Sequence, residues 1–282
     1  MPTPALSLGF SPCPNDTFIF HALVSGAVPT PGFTFAPEVL ADVETLNHWA
    51  LAGRLDVTKL SFHALGLVLD EYVLLGAGAA LGRGCGPLLV SLPGLAAAEL
   101  GDQTVAVPGH HTTAALLLRL AYPECQSMVA MPFDRIMPAL ARGEVGAGVI
   151  IHEGRFTYRQ HGLQLVRDLG RWWEETTGRP IPLGGIAARR SLGRERLLAV
   201  ERAIRASLEL ARRHPDRSRD YIRAQAQELE EGVIAQHIAL YVNDFSLDLG
   251  EAGREAVAEF LRGGERLGIF PAGAGEGFSL GA

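Results

Sequence analysis

Between residues 5 and 72 the chain alternates short apolar runs with helix-patterned stretches, an order that points to a parallel sheet with helices on its faces. The runs "ALSLGF" (5–10), "FTFAPEVL" (33–40) and "DVTKL" (56–60) read as strands. Residues 17–26, 42–55 and 61–72 read as helices, and within 42–55 Leu46, Trp49, Ala50 and Leu55 fall near helical spacing. The alternation restarts further on, with strands over 86–91, 104–109, 127–133 and 146–151 and helices over 112–122 and 134–145. Pro138 lies close enough to the start of its helix to be tolerated. Past residue 194 the pattern is helical only (194–214, 219–229 and 231–242), so these helices are expected to pack back onto the first unit.

That order predicts two α/β lobes around a cleft: a larger, discontinuous one over 1–90 and 181–282, and a smaller one over 91–180. "GRGCGPLLV" (82–90) is glycine-rich but precedes a strand, so it reads as the crossover between lobes rather than a phosphate cradle. "RWWEETTGRPIPLGG" (171–185) reads as the return crossover, with Trp172 and Trp173 packed at the hinge. A chain of 282 residues suits two domains. A net charge of −6 without any Lys/Arg run argues against a nucleic-acid partner. No apolar stretch approaches the ~18 residues a membrane span needs. The start "MPTPALSLGF" lacks a basic leader and a long apolar run, and the three cysteines, Cys13, Cys85 and Cys125, are odd in number without metal-ligand spacing. A cytoplasmic, reducing location is therefore expected.

Ligands of open α/β sheets bind at the carboxyl ends of the strands. The first strand is followed by "SPCPNDT" (11–17), the third by Lys59 and Ser61, and the strand over 104–109 by His110, His111, Thr112 and Thr113. "GAGVII" is followed by His152, Glu153 and Arg155, and Asn47 lies on the helix after the second strand. Asn15, Asp16 and Thr17 are N-cap types, and the flanking prolines hold the entering backbone extended. The segment "HTTA" presents a second helix N-terminus. Two such ends across a cleft suit a small-molecule carboxylate, because their orphan N–H groups and dipoles favour negative charge. His152 is the candidate general base, since histidine titrates near neutrality. Asp16 ranks above Glu153 as its partner, because a continuing strand turns Glu153 to the opposite face. The remaining histidines show no metal-ligand spacing and read as helix-face or loop residues. Cys13 lies near a helix start, but the sequence indicates no histidine partner for it.

The motifs "SPCPNDTFIF", "DVETLN", "TKLS", "GRGCGPL", "VPGHHTTA", "GVIIHEGRFTY", "WWEETTG" and "YVNDFSLDLG" resemble the 1,4-dihydroxy-6-naphthoate synthase family over residues 6–250. The resemblance implies the two-lobed fold of type II periplasmic binding proteins. It also implies a lyase that uses no cofactor or metal and releases 1,4-dihydroxy-6-naphthoate and dihydroxyacetone from cyclic dehypoxanthine futalosine. It assigns the proton-abstracting base to His152, and substrate contact to Lys59, Leu60, Ser61, Thr112, Thr113 and Asn47. Two rivals share the architecture. A solute-binding protein would return its ligand unchanged. Chorismate dehydratase is disfavoured by "SPCPNDT" and "IIHE". Monomer and homodimer both remain open.

Overall fold

A computed structural model describes residues 5–152, 154–226 and 230–281. Seven short strands come first: β1 (Ala5–Leu6), β2 (Leu8–Phe10), β3 (Thr34–Phe35), β4 (Val39–Leu40), β5 (Val57–Ser61), β6 (Tyr72–Leu74) and β7 (Ala80–Gly82). A second group follows: β8 (Leu88–Ser91), β9 (Val105–Val107), β10 (Met128–Ala130), β11 (Ala147–Ile150) and β12 (Gln164–Asp168). The nine-residue β13 (Ile181–Arg189) closes the series.

The first sheet has the order β4-β2-β5-β13-β6, with β7 also paired to β13. The second has the order β10-β9-β11-β8-β12. A fully parallel first sheet was the expectation, and the sheet is mixed. β2 runs parallel to β4 and β5, but β13 runs antiparallel to β5, β6 and β7. The sequence of β13, "IPLGGIAAR", carries a proline and two glycines and so reads as a connection. Its glycines are there for space. A Cβ on Gly184 would meet Leu60 O at 2.7 Å and the Lys59 side chain at 3.3 Å. The run expected as one strand over 33–40 is split into β3 and β4, with Pro37 between them.

The helices are α1 (Pro14–Val24), α2 (Val43–Leu51), α3 (Phe62–Leu67), α4 (Thr113–Ala121), α5 (Phe133–Ala141), α6 (Gly154–Thr157) and α7 (Leu169–Thr177). The C-terminal set is α8 (Arg194–Arg213), α9 (Arg219–Gln225), α10 (Glu231–Tyr241), α11 (Asp244–Leu247) and α12 (Gly250–Arg266). α1 begins at Pro14, three residues before the expected Thr17, because proline suits the first helical turn. α3 stops at Leu67, and β6 follows where the sequence pattern continued as helix. α8 lies on α1: Val200, Ile204 and Leu208 share a core with Ile19, Phe20 and Ile186. Ser207 Oγ pins the two, donating to Ile19 O at 2.6 Å and accepting from Leu23 N at 3.0 Å. α12, which no sequence motif announced, buries Val257, Phe260 and Leu261 in the core that also holds Leu60 and Trp173.

The chain passes from the first sheet to the second through residues 83–87 and returns through α7. At this crossing Gly86 and Gly170 touch backbone to backbone, and a Cβ on Gly86 would lie 2.3 Å from Gly170 Cα. Trp173 is buried there, its Nε1–H donating to Pro180 O. Among the described residues no helix is long and apolar enough to cross a membrane.

Candidate active site

A cavity of about 670 Å³, open solvent at its mouth included, lies between the two sheets. Ser11 lines it from the turn after β2, Asn15 and Asp16 from the first turn of α1, and Lys59 and Ser61 from the end of β5. Thr112, Thr113 and Ala114 line it from the start of α4, and Ile151 and His152 from the end of β11. Cys85, Gly184 and Tyr241 add to the walls, as does Val43 at the start of α2. The strand ends that the fold class favours for ligands thus meet in one place.

Asp16 is the centre of one wall. Its Oδ1 accepts from Lys59 Nζ at 2.6 Å and from Asn15 Nδ2 at 2.8 Å. Its Oδ2 accepts from Ser11 Oγ at 2.7 Å. Both charged side chains of the pair are more than nine-tenths buried. Asp16 therefore holds Lys59 and the turn together. Glu153, the other partner considered for His152, lies outside the described residues.

The network continues to α10. Asn15 Oδ1 accepts from His237 Nε2–H at 2.9 Å, and this bond fixes the imidazole tautomer. Burial, reinforced by His152 and Lys59, holds His237 well below the usual histidine range, so it stays neutral. The sequence placed His237 on a helix face. Its pairing with Asn15 spans 222 residues and leaves no local signature.

His152 follows β11 with φ +53°, the one non-glycine residue at positive φ among the described residues. Histidine enters this left-handed region more readily than most side chains, and such backbone settings concentrate at functional sites. Its ring stacks on His237 with centroids 5.9 Å apart and packs against the Phe133 edge. Cys13, the N-cap residue of α1, has its Sγ 3.7 Å from Nδ1 and 3.8 Å from Nε2 of His152. Cys85 differs: burial pushes its thiol up to about 12, which keeps it protonated.

Three expected site residues do not line the cavity. Thr17 turns its hydroxyl back to Cys13 O and Pro14 O, bonds that tie up the first turn of α1. Leu60 points away from Lys59 and Ser61, as strand alternation requires, and joins the core. Asn47 supports from behind: its Oδ1 accepts from Ser61 N at 2.9 Å, and its Nδ2 faces Ser61 Oγ and His111 O. Arg155 donates to Gly86 O and lies 3.8 Å from Asp168, so it braces the crossover.

Thr112 caps α4 through its side chain, and Thr113 Oγ1 links the lobes by donating to Leu183 O at 2.6 Å and accepting from Phe62 N. His63 Nδ1–H donates to Thr112 O, and burial lowers that imidazole to about 4. The backbone N–H groups of Thr113 and Ala114 meet no acceptor among the described residues. α4 has no acidic residue in its first turn, whereas α1 already carries Asp16. The first turn of α4 thus presents N–H groups to the cavity in a setting that favours negative charge.

The profile of the family described as menaquinone biosynthesis matches residues 6–266. A 1,4-dihydroxy-6-naphthoate synthase of Thermus thermophilus is 55% identical over 94% of this chain and 96% of its own length. A second, from Streptomyces coelicolor, is 47% identical over 96% of this chain and 97% of its own. The crystal structure of a protein of Archaeoglobus fulgidus is similar with a TM-score of 0.87 and 36% identity, covering 94% of this chain and 98% of that one. The periplasmic aliphatic sulphonate binding protein of Escherichia coli shares the fold at 13% identity and a TM-score of 0.63, over 96% of this chain and 89% of that one. The architecture is thus the two-lobed periplasmic-binding-protein type, and the chain belongs to the menaquinone-biosynthesis family together with the two 1,4-dihydroxy-6-naphthoate synthases.

Proposed function

We propose that this chain converts cyclic dehypoxanthine futalosine into 1,4-dihydroxy-6-naphthoate and dihydroxyacetone, with His152 as the base that removes a proton from the sugar-derived part. The observation that carries the reading is that His152 lines the cavity at the end of β11, with His237 stacked on its ring. His237 is held neutral and donates to Asn15. Proton removal starts the release of the three-carbon fragment, and formation of the aromatic ring makes that release favourable. A positioned general base contributes about 10²–10⁴-fold.

The remaining groups have separate tasks. The substrate carboxylate is assigned to the first turn of α4, where the N–H groups of Thr113 and Ala114 meet no acceptor among the described residues. Ser11, Ser61 and Lys59 face the sugar hydroxyls from the opposite wall. Thr113 bridges to Leu183, so closure of the lobes and assembly of the carboxylate site are one event.

The test is direct. Purified protein is mixed with cyclic dehypoxanthine futalosine in a chelator-treated buffer, and the products are analysed by mass. Equal amounts of dihydroxynaphthoate and dihydroxyacetone are expected. Unchanged substrate that still raises the melting temperature would replace this reading with a binding function.

A further inference from the structure

At the seam between the lobes, beside the cavity, two side chains of α2 meet a third from the turn before α4. Glu44 and His48 sit four residues apart on α2, and so share one helix face. His111 comes from the turn before α4 in the other lobe. Glu44 Oε1 lies 3.1 Å from His111 Nδ1 and 3.7 Å from His48 Nε2. One ligand atom from each residue lies within 4.8 Å of the other two. Zinc ligands at about 2.0–2.1 Å in a tetrahedron are about 3.3 Å apart, so the two measured separations bracket that edge.

The surroundings resemble an outer ligand shell. Asn47 Nδ2 donates to Glu44 Oε2 at 3.0 Å, and the His111 backbone N–H donates to Oε1 at 3.0 Å, so the carboxylate is oriented before any ion arrives. The His48 and His111 rings pack edge to face with centroids 4.9 Å apart. Glu44 and His111 are largely covered, while the His48 side chain is 60% exposed, which leaves an entry path and room for a water in the fourth position.

We infer that Glu44, His48 and His111 form a binding site for a borderline divalent cation of the zinc class, and that the ion ties the two lobes together at the cleft mouth. The ion takes the place of the proton that His111 Nδ1 now shares with Glu44. The site flanks the cavity through Val43 and Thr112, which line it, so a bound ion opposes opening. The inference does not rest on the activity proposed above.

Calorimetric titration of chelator-treated protein with Zn²⁺ tests the site, with the visible spectrum of the Co²⁺ form reporting ligand geometry. One equivalent is expected to bind to a site that His48→Ala and His111→Ala each weaken at least ~10-fold, the loss that even an outer-shell partner causes. His48→Ala is expected to fold as the parent does, because that ring is exposed. Wild-type affinity in both variants, or no binding by the parent protein, overturns the site. Hydrogen exchange tests the tie. Zn²⁺ is expected to slow exchange in both Val43–Leu51 and residues 109–116 of the parent protein but not of His48→Ala. Protection confined to α2 would overturn the bridging role.

Discussion

Cys13 Sγ lies nearly equidistant from the two ring nitrogens of His152, at 3.7 and 3.8 Å, across the cleft between α1 and the end of β11. At these separations the sulfur touches the imidazole and supports its orientation. Cys13→Ala is accordingly expected to lower kcat less than ~10-fold and leave KM unchanged, well short of the loss of a general base. A loss matching that of a His152 substitution would instead give the thiol a chemical step.

Lys59 and Asp16 form a buried pair at 2.6 Å, with Ser11 and Asn15 satisfying the remaining carboxylate positions. Removing one partner strands the other charge. Lys59→Met is expected to cost about 3–5 kcal/mol in urea unfolding, and the double variant Lys59→Met/Asp16→Asn to recover most of it. A single-variant loss below about 1 kcal/mol would show that water already screens the pair.

His237 and His63 are both held neutral by burial, His63 down to about 4. A histidine whose folded value is depressed binds fewer protons in the folded state than in the unfolded one. Its contribution to stability is complete above about pH 6.5 and is withdrawn as pH falls. Unfolding free energy in chelator-treated buffer is therefore expected to decline from about pH 6.5 towards 4, and His237→Gln to flatten that decline. A curve equally steep in the variant would remove His237 as a source.

The local features of the site were legible in the sequence. The polar turns after the first strand, after β5, before α4 and after β11 all reach one cavity, because carboxyl strand ends must converge in this architecture. Leu60 was misplaced because a motif names consecutive residues, while a strand turns alternate ones to opposite faces. Thr17 was misplaced because the helix begins before it, at Pro14. The long-range partners were not legible. His237 reaches Asn15 across 222 residues, and His111 reaches Glu44 across 67. β13 escaped because Gly184 and Gly185, which let it fit beside β5 and Phe62, are the residues that make it read as a turn.

The central claim is that His152 takes the proton. It is tested most directly by single-turnover kinetics of His152→Asn with cyclic dehypoxanthine futalosine, alongside its equilibrium affinity for the same compound. The expected result is a chemical step slowed about 10²–10⁴-fold with binding retained within a few-fold. A chemical step near the parent rate would remove His152 from the mechanism and transfer the base to another group at the cavity.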